Sequence, residues 1–142
     1  MAQKPWQETT GYFLAQTCKL LRVRAHASLE KIGLYRGQQF VLHALWAEEG
    51  ITHSKLAEQL HVRPATMTNM LKRMEKAGLV ERRQDTVDQR VSRVFLTDAG
   101  RNIREEVEEA WEELEGQAFA GFSAEECALF ARLLRRIREN LT

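Results

Sequence analysis

Between positions 63 and 76 the chain carries Arg63, Pro64, Ala65, Thr66, Thr68, Asn69, Lys72, Arg73 and Lys76, and further on the triplet Asp88-Gln89-Arg90. The chemistry open to these side chains is recognition, not bond-making. An asparagine amide can pair bidentately with adenine, lysine and arginine can reach guanine or phosphate, and small residues such as Ala65 and Thr66 let a helix come close to base edges. Thr66, Thr68, Asn69 and Arg73 are the expected base readers, and Lys72 and Lys76 the expected phosphate contacts. Asp88, two residues before Arg90, can hold that guanidinium in a fixed orientation through a bidentate carboxylate pair. An arginine presented in this way can enter the narrow, negative minor groove of DNA.

Residues that make or break bonds are not arranged for it. The chain has no glycine-rich phosphate loop, no nucleophile elbow and no helical His-x-x-x-His pair. His26, His43, His53 and His61 are scattered, so no metal site, cofactor or enzyme activity is expected. Cys18 and Cys127 form neither a disulfide framework nor a CxxC motif. Both lie in helical patterns, where a reduced, buried thiol behaves as a small hydrophobe.

The recognition residues need an element to carry them. Leu56, Ala57 and Leu60 recur as one face of a short helix over 52–60, with Thr52 as its N-cap. Pro64 cannot continue that helix but suits the first turn of another, which sets Met67, Met70, Leu71 and Met74 on one side and the polar residues on the other. Ala77-Gly78 stops it. Residues 79–83 and 91–96 read as two short strands joined by the polar loop 84–90, a hairpin with Arg82, Arg83, Arg90 and Arg93 beside the second helix. The succession is helix, turn, recognition helix and basic wing.

Ahead of this reading head lie two helices, about 8–32 and 36–49. The first has a stripe of Phe13, Leu14, Thr17, Leu20, Leu21 and Ala25, and the second the dense apolar run from Phe40 to Trp46. Behind it Thr97 caps a long helix with Ile103, Val107, Ala110, Trp111, Leu114 and Ala118 at spacings of three and four. The pattern resets near Gly121, where Ser123 and Glu126 make a capping box flanked by Phe122 and Cys127. A last helix follows with Phe130, Leu133, Leu134, Ile137 and Leu141. These outer helices hold more apolar surface than the head can cover, which calls for self-association. The expected fold class is mainly α with a small β-hairpin wing: one domain over 1–142, its winged helix-turn-helix at 36–100 and a helical dimerisation region at 1–35 and 101–142.

Gly78-Leu79-Val80, the wing Asp88-Gln89-Arg90 and Leu96-Thr97-Asp98-Ala99-Gly100 resemble the MarR family of winged helix-turn-helix regulators. The wing of that family often carries two adjacent basic residues after the Asp, where this chain has Gln89 and then Arg90. The resemblance implies a twofold homodimer that presents two recognition helices to a pseudo-palindromic operator in double-stranded DNA. It implies a transcriptional regulator, a repressor whose grip on DNA is modulated by a small aromatic or phenolic effector. Any ligand wedged between the wing and the dimerisation helices would change the distance between the two reading heads. Arg22, His26, His43, Trp46 and Trp111 are the candidate liners, since such pockets combine aromatic walls with one or two polar anchors. Some relatives sense organic peroxide through a cysteine in the first helix, which makes a redox role for Cys18 the alternative, although no tyrosines flank it in sequence to assist the thiol.

Charge is compatible with a nucleic-acid partner despite a net of only +1. Residues 51–96 carry nine basic against five acidic side chains, while residues 97–127 carry two against ten, giving +4 and −8. A positive head on a negative body orients the protein toward DNA. A winged helix can also bind an acidic protein through its basic face. A protein-binding face would more often expose Tyr, Trp, Phe or Met, and the expected reading surface has none. The polar start, residues 1–5, lacks the apolar core of a secretion signal, and no run approaches the length of a membrane span, so a cytoplasmic protein without membrane contact is expected.

Overall fold

The chain runs as helix, helix, strand, helix, helix, two strands and three helices in a computed structural model that describes residues 5–142. The reading of the polar start at residues 1–4 lies outside the described residues. After a 3-10 turn, α1 (Thr10–Glu30) begins at Thr9, whose hydroxyl accepts from the Tyr12 N–H, and α2 (Gln38–Ala47) follows the left-handed Gly37. β1 (Ile51–Thr52) leads straight into α3 (His53–Gln59), capped by Thr52. His61, at a positive φ of 54°, turns the chain, and Arg63 in extended geometry hands it to α4 (Pro64–Lys76). Pro64 sits where a missing N–H costs nothing. β2 (Val80–Gln84) and β3 (Ser92–Leu96) form the wing, and α5 (Asp98–Asn102), α6 (Arg104–Ala118) and α7 (Ala124–Leu141) complete the chain.

The wing belongs to a three-stranded antiparallel sheet in the order β1-β3-β2, with Ile51 opposite Val94 and Val80 opposite Leu96. A two-stranded hairpin was expected. Ile51 joins the sheet through a partner over forty residues away, a contact that no local pattern announces. Ile51, Val80, Val94 and Leu96 are buried with Val41, Leu42, Leu45, Leu56, Met67, Leu71 and Met74 in one core. The wing is thereby tied to the same hydrophobic mass as α2, α3 and α4.

The long helix expected from Thr97 is two helices. Thr97 does cap it, accepting from the Gly100 N–H at 3.1 Å, but the backbone turns at Ile103, where ψ is −9°, before α6 begins. Ser123 and Glu126 make the expected capping box of α7. That helix has no buried residue along its 18 positions, and α1 buries only Ala25 and Leu29. The cysteines therefore depart from expectation: Cys18 is exposed on α1 and Cys127 is half-buried on α7. Cys18 lies on a face that a single copy of the chain leaves uncovered, and Cys127 faces α6. Among the described residues no helix is long and apolar enough to cross a membrane.

Candidate nucleic-acid interface

α4 is oriented by its apolar face. Met67, Leu71 and Met74 are buried and Met70 is half-buried, which turns Ala65, Thr66, Asn69, Lys72, Arg73 and Lys76 outward, along with Arg63 and Pro64 at the start. Arg73 and Lys76 lie in the last turn, where the helix dipole favours cations. Among the described residues none of Arg63, Lys72, Arg73 and Lys76 takes part in an ion pair. Their charges are free for an anionic partner.

Thr68 is placed differently. It is half-buried, donates its hydroxyl proton to the Pro64 carbonyl at 2.9 Å and sits 3.0 Å from His53 Nε2. Burial, and then the nearby Arg82, hold His53 below the ordinary histidine pKa. The pair joins α3 to the first turn of α4, so the hydroxyl expected to read a base is committed within the protein.

The wing arginines also separate. Arg82 pairs with Glu75 of α4, and Arg83 pairs with Glu81 while stacking over the Phe95 ring at 4.4 Å. Arg93 donates to Asp85 at 2.9 Å and to the Gly50 carbonyl at 2.9 Å. All three are engaged within the protein, Arg82 with α4, Arg83 along its own strand and against Phe95, and Arg93 across the hairpin. Arg90 is left at the tip with its side chain 91% exposed, its Nε and NH2 donating to the two oxygens of Asp88 at 3.1 and 3.3 Å. That is the expected bidentate geometry. The Arg90 hydrogen bond holds the Asp88 carboxyl below the usual carboxylate range, and Arg93 does the same for Asp85.

The five effector candidates fall into separate groups. On α2, His43 meets Trp46 edge-on with ring centroids 5.1 Å apart. Trp46 donates its indole N–H to the Gly100 carbonyl at 3.0 Å and lies under the Arg104 guanidinium. Trp111 of α6 stands 6.4 Å from Phe40. On α1, His26 has Nε2 3.8 Å from Glu30 and a buried Nδ1 without a partner, while Arg22 is exposed. A cavity of about 560 Å³ opens between α6 and α7, and one of about 310 Å³ between α1 and α6; none of the five lines either. Among the described residues Cys18 makes no side-chain hydrogen bond with a tyrosine; Tyr12 accepts from Gln16, and Tyr35 lies beside His26.

Arg93 was expected on the wing without a partner, and Asp85, His53 and Glu49 were not foreseen as parts of this interface. Glu49 accepts from the Leu96 N–H at 2.9 Å and from Arg101 at 2.7 Å, fixing the base of the wing. Asp85 stands opposite Val91 in the hairpin and reaches Arg93 diagonally, a contact that only the strand register could have signalled.

Comparison with known proteins places this geometry. The family model described as "MarR family" matches residues 34–92. The uncharacterized HTH-type transcriptional regulator YwoH of Bacillus subtilis is 32% identical over 120 residues, which cover 84% of this chain and 87% of that protein. Two other Bacillus subtilis proteins match over about half their own length. The HTH-type transcriptional repressor MdtR is 39% identical, covering 56% of this chain and 52% of its own. The organic hydroperoxide resistance transcriptional regulator is 38% identical, covering 54% and 52%. Among solved structures, a mutant MarR from E. coli complexed with operator DNA superposes with a TM-score of 0.85 at 24% identity, over 95% of this chain and 99% of that one. Bordetella bronchiseptica BpsR, whose DNA binding is regulated by 6-hydroxynicotinic acid, superposes with a TM-score of 0.88 at 22% identity, over 96% and 98%. At these identities the superpositions establish the shared winged-helix fold.

Proposed function

From the premise that this chain belongs to the MarR family of transcriptional regulators, we propose that it binds double-stranded DNA sequence-specifically as a homodimer and represses transcription by occupying an operator. The observation that carries this reading is the outward polar face of α4 next to a wing tip whose arginine is held in place by Asp88. Thr66, Asn69 and Arg73 read base edges in the major groove, Lys72 and Lys76 hold phosphates with Arg63 and Pro64 at the helix entrance, and Arg90 enters the minor groove. Thr68 supports the helix from behind.

Dimerisation is supported by the apolar faces of α1 and α7, where Phe13 and Leu20 are well exposed and Phe130, Leu133, Leu134 and Ile137 remain over a third exposed in one copy. A twofold axis through these helices presents two copies of α4 to one face of a pseudo-palindromic duplex. The site of action is the cytoplasm, where the DNA lies. For a small aromatic effector the aromatic and basic side chains of α2 and α6 offer the matching chemistry, His43 and Trp46 with Arg104 on one side and Trp111 with Phe40 on the other, although neither cavity of the single copy opens there. Arg22 and His26 of α1 would complete such a site only if the dimer brings them to it.

The test begins with a random-sequence duplex library, from which the protein should enrich a pseudo-palindrome. On that duplex Arg90→Ala should weaken binding and lower the slope of log affinity against log salt by about one. Affinity and slope both unchanged would remove the wing from the interface, and failure to enrich any sequence would end the reading as a specific DNA binder.

A further inference from the structure

We propose that Asp85 and Arg93 are positioning residues for the wing-tip arginine, anchoring the wing loop to the turn before β1 so that Arg90 is presented in one direction. The inference rests on Arg90 meeting DNA, as set out above. The loop between β2 and β3 is polar, and its tip side chain is almost wholly exposed. A long, unrestrained arginine loses rotamer freedom when it binds, and whatever fixes it beforehand raises affinity without touching DNA.

The fixing is a continuous chain of hydrogen bonds. Arg93 NH1 donates to the Gly50 carbonyl and Arg93 Nε to Asp85 Oδ1, both at 2.9 Å. The other Asp85 oxygen accepts from the Asp88 N–H at 3.1 Å. Asp88 Oδ1 in turn accepts from the Arg90 N–H at 3.0 Å and from its Nε at 3.1 Å. Two backbone bonds, Asp85 N–H to Val91 at 2.8 Å and Val91 N–H to Asp88 at 3.0 Å, close the loop on itself. The far end is rigid. Gly50 is in the left-handed region, its N–H donates to the Val94 carbonyl at 2.9 Å, and a Cβ there would press on the Phe95 ring. The Asp85 side chain is only 18% exposed, so its pair with Arg93 is better shielded from solvent than the pair at the tip.

Asp85 needs both oxygens. An asparagine has one carbonyl oxygen and one amide NH2, so Asp85→Asn keeps the shape but turns an N–H toward either the Asp88 N–H or the Arg93 Nε–H, where an acceptor is needed. The experiment measures affinity and hydroxyl-radical footprints for the wild type, Asp85→Asn, Arg90→Ala and the double variant, on the duplex that the wild type recovers from the random library. Asp85→Asn should weaken binding roughly three- to tenfold, the effect of leaving one long side chain to be ordered on binding. It should also erase the minor-groove protection at the wing. In the Arg90→Ala background it should have no further effect. Arg93→Gln, which cuts the chain from the other side, should repeat the pattern. Equal weakening with and without Arg90 would make the pair a general support of the sheet and overturn the proposal, as would an unchanged footprint in Asp85→Asn when Arg90→Ala loses it. An Arg90→Ala variant that binds like the wild type would instead remove the wing reading, and this inference with it.

Discussion

His53 Nε2 lies 3.0 Å from the Thr68 hydroxyl, which itself donates to the Pro64 carbonyl. A hydroxyl has one proton to give, so Thr68 accepts from His53 and the imidazole carries its hydrogen on Nε2. The bond fixes the angle between α3 and α4 at the point where the recognition helix begins. Thr68→Val keeps the shape and removes the acceptor, so urea unfolding should show a loss of about 1 kcal/mol. Base preference, measured on operators changed one position at a time, should stay as in the wild type. Asn69→Ala, exposed on the same helix, should do the reverse, leaving stability intact and relaxing preference by about 1–3 kcal/mol at one position per half-site. A base-specific loss in Thr68→Val would return that residue to the readers.

The two shifted histidines set the sign of the pH dependence. Burial is the first cause of lowering for both His43 and His53, so the folded protein resists the proton that the unfolded chain accepts near the ordinary value of 6.5. A base with a depressed folded pKa loses stability as pH falls through the unfolded value, and the loss is complete once pH is below the folded one. Asp85 and Asp88 act in the opposite range, since their stabilisation is whole above the ordinary 3.8 and fades only as pH falls below it. Thermal midpoints should therefore fall between pH 7.5 and 5.5, a window of about one unit either side of the ordinary histidine pKa. The double variant His43→Gln/His53→Gln should flatten the curve. A flat curve in the wild type would mean that neither imidazole is held neutral.

Much of this head was legible because its signals are local. Pro64, the spacing of Met67, Leu71 and Met74, and the stop at Ala77-Gly78 define α4 without help from the rest of the chain. The Asp88–Arg90 pair is legible for the same reason, being two residues apart on one loop. What depended on distant partners was not. β1 exists because Ile51 meets Val94, and the partners of Arg82 on α4 and of Arg93 across the hairpin are set by the packing of α4 and the course of the wing loop. The turn at Ile103 carries no Gly or Pro to mark it. The exposure of Cys18 depends on what covers α1, which periodicity alone does not state.

Self-association can be tested on α7. Ile137 is 37% exposed on a helix that buries nothing in one copy, so a charge there should not disturb the core of the protomer. At a twofold interface the same charge appears in both partners and is desolvated. Ile137→Glu should weaken self-association by about 2 kcal/mol or more, as the loss of a central apolar contact does. In sedimentation equilibrium the variant should shift to monomer at concentrations where the wild type is a dimer, and operator affinity should fall because half-sites are then bound one at a time. A variant that stays dimeric would place the interface elsewhere.

Gly100 tests the joint between the wing and the body, and a second glycine supplies the opposite sign. A Cβ at Gly100 would drive into the Leu79 carbonyl oxygen and come within 3.1 Å of Leu96 Cδ2, while the Gly100 carbonyl accepts the Trp46 indole N–H. Neither neighbour can move freely: the Leu79 carbonyl already accepts from the Thr97 N–H at 3.1 Å, and Leu96 is in the core. Gly100→Ala must push α5 off the sheet, at a cost of about 1–3 kcal/mol typical of overpacking. Gly116 lies in the last turn of α6 with nothing within 4 Å of where its Cβ would be. There Gly→Ala meets no obstacle and should add about 0.5–1 kcal/mol by restricting the unfolded chain. Urea midpoints of the two variants should move in opposite directions from the wild type. A Gly100→Ala protein as stable as its parent would show that α5 is not pressed against Leu79 and the end of β3.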